Sequence, residues 1–332
     1  MNDSILVLHG DRTTPLLAAH SAALDQVLRQ EGWQAGASWR EVPYERTRPS
    51  LGGVDWLIVA NVAVDIDAES APSLKGIVKL GRFGSRVALL PGAASQVKFS
   101  VVPDPYFVSC AEHALALTLA LCRRIVPLDR AVRQGVDEPR PIVTTSVQRL
   151  PNWLGLASGT IRTISQSTVG IVGMGEIGLE TARLFAALGA NILYHKRNRL
   201  SASDEESIGA QWVELRTLLA QSDIVSLHLP HTEDTAHIIG AEELALMRPD
   251  AVLINTARGG LVSEPALVDA LKAGRIAGAG LDVYEVEPLP RESALTRLEN
   301  VVLAPHVGVY PMAEEVRYKP VVAALSRMRR EA

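Results

Sequence analysis

The sequence predicts an α/β protein built from parallel strand and helix units, and three observations carry that prediction. Short apolar runs alternate with helical patterns along most of the chain. Helical stretches close on glycine, at Gly32 and Gly189, where the missing Cβ lets the chain turn out of the helix. One strand-to-helix junction carries glycines spaced G-x-G-x-x-G. Parallel neighbours need a crossover helix, so this alternation reads as parallel sheets covered by helices.

SILVLHG (4–10) reads as a strand and TPLLAAHSAALDQVLRQEG (14–32) as an amphipathic helix. VDWLIVAN (54–61) is a second strand, and AESAPSLKGIVKL (68–80) is read as a helix. From 86 to 105 Pro and Gly accumulate, and short strands with a linker are expected. FVSCAEHALALTLALCRRIVPLDRAVRQG (107–135) is a long apolar helical pattern that Pro127 is expected to kink or break. A polar connection, DEPRPIVTTSVQRLPNW, then leads into the clearest βα array of the chain.

At 332 residues the chain is long enough for about two domains with their own cores. A net charge of −4 with 47% hydrophobic residues calls for neither nucleic acid nor an anionic membrane. No run is read as a membrane span, which needs roughly 18 uncharged apolar residues, and the N-terminus lacks a basic leader pattern. Two cysteines, Cys110 and Cys122, lie in helical segments and suggest a reducing compartment without a disulfide framework. The expected location is cytoplasmic.

The array opens with STVGIVGMGEIGLETARLFAALGA (167–190), in which VGIV is a strand and Gly173, Gly175 and Gly178 fall where it turns into a helix. The first glycine permits the tight turn, the second lets a pyrophosphate approach the backbone, and the third lets helix pack close on strand. The second strand, NILY, runs into HKRNR. There an NAD-binding unit places an acid on the adenosine ribose. Here His195, Lys196, Arg197 and Arg199 stand instead, and cations favour the 2′-phosphate of NADP. NADP is therefore the expected cofactor, with NAD possible; Arg197 is the first choice for the phosphate and Lys196 the second.

SDIVSLHLPHTEDTAHII (222–239), AVLINTARGGLVSEPALVDALKAG (251–274), IAGAGLDVYEVEP (276–288) and ENVVLAPHVG (299–308) continue the series, and loops at the carboxyl ends of such strands build the site. Arg258, Glu287 and His306 stand in them. An arginine recognises a carboxylate at two points, and a histidine paired with a carboxylate exchanges protons near neutral pH. Together they suit reduction of a 2-oxo acid. None of the other seven histidines is expected to have a comparable partner; His113 is assigned to the helix between domains and His228 to a strand end near the cofactor.

These motifs resemble the D-isomer-specific 2-hydroxyacid dehydrogenase family. The most specific marks are VGIVGMGEIG, VSLHLPHTEDT, LINTARGGLV, GLDVYEVEP and APHVG, in the family's order. LIVANVAVDIDAES, LKGIVKLGRFG and AEHALALTLALCRR extend the likeness over most of the chain. The resemblance implies two doubly wound parallel-sheet domains. A Rossmann dinucleotide-binding domain (106–306) is inserted in a flavodoxin-like substrate domain (1–105 and 307–332), with the active site in the cleft between them. It implies that Arg258 binds the substrate's carboxylate and carbonyl oxygen and that His306 donates a proton to that oxygen. Glu287 would hydrogen-bond His306 and favour its protonated form. Asp282 would fix the nicotinamide carboxamide.

Around the glycine turn, Met174, Glu176 and Ile177 are expected beside the cofactor. Leu229, Pro230, Thr235, Thr256, Ala257 and Gly308 complete that set. No metal is expected, and a homodimer through the cofactor domains is. The stretch LGRFGSRVALLPGAASQ departs from the family's usual G-V-G-x-D-N-I-D-like loop. Its Arg82, Phe83 and Gly84 are candidate substrate contacts, and Arg82 or Arg86 could add positive charge that favours a phosphorylated or dicarboxylic oxo acid. Tyr310, after His306, is expected to alter the pocket wall. The expected activity is reduction of a 2-oxo acid to a D-2-hydroxy acid, like glyoxylate and hydroxypyruvate reductases. Two alternatives stand beside it: a phosphite dehydrogenase-like enzyme, to whose branch VVPDP (101–105) is similar, and a non-catalytic dinucleotide-sensing scaffold like the C-terminal-binding-protein corepressors. The short stretch after the last helix weighs against the scaffold. Ala304, where formate dehydrogenases of this fold carry glutamine, weighs against that activity.

Overall fold

A computed structural model of the chain describes residues 3–9, 14–34, 36–41, 48–60, 62–67, 69–81, 86–90, 97–135, 161–309 and 314–331. The chain divides into two compact units, Met1–Ser109 with Val309–Ala332, and Cys110–Gly308.

The first unit holds β1 (Ile5–His9), α1 (Thr14–Gln30), β2 (Ala37–Glu41), β3 (Trp56–Ala60), β4 (Ala63–Ile66), β5 (Gly76–Leu80), β6 (Arg86–Leu89) and β7 (Lys98–Val102). A parallel sheet runs in the order β2-β1-β3-β5-β7, and β4 pairs with β6 apart from it. β1 is buried along its whole length because apolar layers cover both faces of the sheet. Ile5, Val7 and Val78 meet Leu24 and Leu28 of α1, while Leu6, Leu8 and Ile77 form the opposite core. A parallel strand covered on both sides reads as an unbroken apolar run, and ILVLH does.

The stretch AESAPSLKGIVKL is not a helix. Ser70 N donates to Asp67 Oδ1 at 2.7 Å to close a turn, and GIVKL is β5, a fully buried strand. Periodicity cannot separate strand from helix over so few residues. Packing decides: a Cβ on Gly76 would stand 2.7 Å from the Trp56 ring of β3, so only glycine lets the strands pair there.

The second unit begins within α2 (Pro105–Cys122) and continues through α3 (Ile125–Gln134), β8 (Thr168–Val172), α4 (Glu176–Ala187), β9 (Asn191–His195), α5 (Ala202–Ile208), β10 (Ala210–Trp212), α6 (Leu215–Gln221), β11 (Ile224–Leu227), α7 (Ala241–Leu246), β12 (Val252–Asn255), α8 (Glu264–Lys272), β13 (Gly278–Leu281) and β14 (Val301–Leu303). A last helix, α9 (Glu314–Arg330), returns to the first unit, where Val321, Val322 and Leu325 join the core with α1. The second unit's sheet is parallel throughout, in the order β10-β9-β8-β11-β12-β13-β14. Strand order reverses between β8 and β11, and the crevice beyond the carboxyl ends of strands at such a reversal is where ligands bind.

Pro127 does not mark the break between α2 and α3. The chain turns at Arg124, left-handed at φ 52°, and Pro127 falls in the first turn of α3, where a missing N–H costs nothing. α2 is, by length and composition, apolar enough to cross a membrane, against the expectation that no run is. Its Cys110, Ala111, Ala114, Leu117, Thr118 and Cys122 are buried, the stripe of a helix packed on a core. Cys110 and Cys122 are free thiols.

Candidate functional site

The glycine turn is built by two crowded positions and one open one. Gly173 is left-handed at φ 95°, and a Cβ on it would stand 2.5 Å from His228 O. A Cβ on Gly178 would run into the Gly173 carbonyl oxygen, whereas around Gly175 there is nothing within 4 Å. The first and third glycines thus bring the start of α4 against β8, and the second leaves open space over the backbone. No side chain caps α4, and the amide end of a helix favours an anion. Met174 is fully buried beneath the turn; Glu176 opens α4 and Ile177 follows it. Beyond β12, Thr256 Oγ1 is buried without a hydrogen-bond partner, a polar atom waiting for a ligand. These features fit a nicotinamide dinucleotide, whose pyrophosphate the glycine turn and the start of α4 would hold.

His228 closes the other side of the turn. Its N–H bonds Val172 O at 2.7 Å, and Nε2 lies 2.8 Å from Ser226 Oγ. Burial pushes its imidazole down to about 3, so it stays neutral at physiological pH. Leu229 packs on the core of this unit, and Pro230 O accepts from Thr235 Oγ1 at 2.7 Å.

The turn that carries His306 follows β14. His306 is a non-glycine residue at φ 55°, a conformation that persists only when its surroundings impose it. Its Nδ1 donates to Glu287 Oε2 at 2.7 Å, and Glu287 Oε1 accepts from Tyr284 N at 3.0 Å. Burial raises the Glu287 carboxyl, but the His306 contact and the Tyr284 amide outweigh it and hold the group below the ordinary carboxylate range. Glu287 is thus the ionised acceptor, and the bond engages only Nδ1 of the His306 ring. Tyr284 OH is occupied by Ala304 O at 2.8 Å, and burial first of all pushes the phenol up to about 12, so it is a wall and not an acid. With Pro288, Leu289, Leu303 and Pro305 these residues line a pocket of about 670 Å³.

Asp282 is 1% exposed. Its Oδ1 accepts from Val307 N at 2.9 Å and its Oδ2 from Gly308 N at 2.8 Å, so the carboxylate visibly braces the turn that carries His306.

Arg258 is presented from the loop after β12. Asn255, buried, accepts from Ala257 N through Oδ1 at 3.1 Å and donates through Nδ2 to Arg258 O at 2.9 Å. A Cβ on Gly259 would run into the Tyr284 carbonyl, so the Arg258 loop lies against the loop leading to Glu287. The exposed guanidinium donates to Ala257 O at 2.6 Å.

The basic turn after β9 spends part of its charge internally. Arg199 donates to both oxygens of Glu205, each at 2.7 Å, and Tyr194 OH donates to Glu205 Oε1 at 2.5 Å. Arg199, expected among the phosphate-facing cations, is therefore matched by a carboxylate of its own chain. His195 Nδ1 lies 3.0 Å from Val213 O. Burial pushes the Lys196 ammonium down against the pull of Asp204 and Glu176. Arg197 is exposed.

Two further histidines have carboxylate partners, contrary to the sequence expectation: His113 Nε2 lies 3.2 Å from Asp282 Oδ1, and His237 Nε2 lies 3.0 Å from Glu285 Oε1. Neither pairing joins residues close in sequence, so no local pattern could reveal it. Asn255 was legible only as part of its motif. Arg82, Phe83, Gly84 and Tyr310 lie outside the described residues, as does the side chain of Arg86.

Comparison with known proteins agrees with this geometry. The family described as "D-isomer specific 2-hydroxyacid dehydrogenase, NAD binding domain" matches residues 115–308. The chain belongs to the D-isomer-specific 2-hydroxyacid dehydrogenase family. It is 41% identical over 240 residues, 72% of this chain and 69% of the relative, to a glyoxylate reductase of Thermococcus litoralis. It is 34% identical over 269 residues, 80% of this chain but 48% of the relative, to a D-3-phosphoglycerate dehydrogenase of Archaeoglobus fulgidus. A solved glyoxylate reductase from Paecilomyes thermophila superposes with a TM-score of 0.57 at 29% identity, covering 98% of this chain and 95% of that one. As a 2-hydroxyacid dehydrogenase, the protein carries the family's nicotinamide dinucleotide-binding domain in its second unit.

Proposed function

We propose that the protein is an NADP-preferring reductase that converts a small 2-oxo acid, glyoxylate or hydroxypyruvate in kind, to the D-2-hydroxy acid. The observation that carries this reading is the His306 Nδ1 to Glu287 Oε2 hydrogen bond of 2.7 Å, which orients an imidazole whose other nitrogen is left to deliver a proton. Arg258 binds the substrate carboxylate and carbonyl oxygen in a two-point grip and offsets the negative charge that grows on that oxygen. His306 Nε2 donates the proton to it, and Glu287 fixes the ring through Nδ1. Asp282 holds the backbone that carries the ring. When bound, the nicotinamide supplies the hydride.

The curated relatives named as glyoxylate reductases support the substrate class. The exposed Arg197 and neighbouring Lys196 support NADP. Oxidation of NADPH and NADH by the purified protein tests the reading against glyoxylate, hydroxypyruvate, pyruvate and 3-phosphohydroxypyruvate, with phosphite-dependent NADP reduction run in parallel. NADPH-dependent turnover of one oxo acid is expected; turnover of phosphite alone, or of none of these, overturns it.

The same reading includes a homodimer in the cytoplasm. α3 has no buried residue, and its Ile125, Val126 and Val132 are 52%, 40% and 49% exposed, an apolar face that a second copy would cover. Light scattering should give twice the 35.7 kDa chain mass; a monomer at micromolar concentration refutes the pairing.

A further inference from the structure

We propose that His113, on α2, is a positioning residue for the proton donor His306 and acts through Asp282. The inference rests on the reductase reading only for its turnover arm.

Four contacts form a continuous chain. His113 Nε2, shut off from solvent, lies 3.2 Å from Asp282 Oδ1, a close electrostatic approach without the alignment of a hydrogen bond. The two oxygens of Asp282 hold the amides of Val307 and Gly308 at 2.9 and 2.8 Å. Gly308 packs against the pair: a Cβ there would stand 2.9 Å from Asp282 Oδ2, which would have to shift, and 3.6 Å from both His113 Cδ2 and Cys110 Sγ. Those two amides directly follow His306, whose φ of 55° sets the ring against Glu287.

A carboxylate this buried must be matched by donors or it takes up a proton. Protonation turns one oxygen into a donor and removes its ability to hold an amide N–H. His113 is the side chain that offers Asp282 positive potential. The other titratable groups around Asp282 are Cys110 on α2, and Tyr284 and Glu287 on the loop after β13. Each of these adds negative charge or none, so without His113 the contacts left to the carboxylate among the described residues are its two amides. The amide of Val307 or Gly308 is then released, and His306 loses the constraint on its backbone.

The test compares His113→Gln, whose side-chain amide reaches the place of Nε2, with His113→Asn, which is polar but too short. Both are made in the full chain. Long-range 1H–15N spectra of the histidine rings read the His306 Nδ1 proton directly, whether or not the protein reduces an oxo acid. That proton should stay protected in the wild type and in His113→Gln and exchange rapidly in His113→Asn. With a 2-oxo acid substrate, kcat of His113→Asn should fall about 100-fold, the loss a displacement of about 1 Å can cause, while the dinucleotide Kd stays within about threefold. Its kcat should recover as pH rises and Asp282 is again ionised. His113→Gln should restore most of kcat. A protected Nδ1 proton in His113→Asn, or equal impairment of both variants, overturns the proposal. Wild-type protein that reduces no oxo acid, yet loses the proton signal in His113→Asn alone, sinks the reductase reading and leaves the positioning role standing.

Discussion

The turn after β14 and the turn after β9 both leave strands of the same parallel sheet and both set a carboxylate from elsewhere in the chain against a basic side chain, yet they use charge in opposite ways. In the first, Glu287 binds Nδ1 of His306, while Asp282 holds the backbone that follows it. In the second, Glu205 takes both ends of Arg199 and the hydroxyl of Tyr194. One carboxylate orients an imidazole; the other matches a cation within its own chain. Counting charges along a loop therefore overstates what a ligand meets, and the hydrogen-bond partners decide the remainder.

The contrast breaks most sharply at the active turn. His306→Ala and Arg258→Ala should each lower turnover by about 10²- to 10⁴-fold, the range for loss of a general acid or an equivalent charge stabiliser. Calorimetry should find dinucleotide affinity within about threefold of wild type, since the glycine turn is untouched. Turnover near the wild-type value in either variant removes that residue from the mechanism. Gly178→Ala should do the reverse. Its Cβ meets the Gly173 carbonyl, which is backbone and cannot swing away. Overpacking of this kind costs roughly 1–3 kcal/mol, read as a lower Tm together with lost dinucleotide binding. A variant that binds normally would show that the turn tolerates the methyl group.

At the basic turn the prediction is graded. Replacing Lys196 with Glu and Arg197 with Ala should cut the NADPH to NADH ratio of kcat/KM roughly ten- to hundredfold, since a hydrogen bond to a charged group contributes about 1.5–3 kcal/mol. Arg199→Ala should change that ratio less than about twofold, because its guanidinium is already matched. Equal effects at 197 and 199 would mean that Glu205 releases Arg199 to the phosphate.

What was legible in the sequence follows the same division. The glycine turn and the strands of the second unit are readable, because each is encoded by neighbours in the chain. The strand over Gly76–Leu80 was misread because its identity depends on Trp56, twenty residues earlier, whose ring leaves no room beside Gly76. The break before α3 was placed at Pro127 because proline is the visible breaker, whereas Arg124 bends the chain. His113 with Asp282 and His237 with Glu285 join residues far apart in sequence. Such pairs exist only once the sheet has formed, and no spacing rule reaches them.

The smallest effect tests the withdrawn cation itself. Hydrogen bonds from Arg199 and then Tyr194 hold the Glu205 carboxyl down, at about 2, against roughly 4.3 in an unfolded chain. A depressed carboxyl contributes stability that is fully present above the unfolded value and is lost as pH falls through the folded one. Tm of the wild type should therefore exceed that of Glu205→Gln by a constant margin above about pH 5. The margin should shrink between about pH 4 and pH 2 and vanish below that. Because Arg199 is mostly exposed, with 62% of its side chain accessible, the margin should be small and should narrow in high salt. A difference that persists unchanged at pH 2 would mean that Glu205 acts there by packing against Tyr194 and not by its charge, and the turn after β9 would then hold its shape without withdrawing a cation at all.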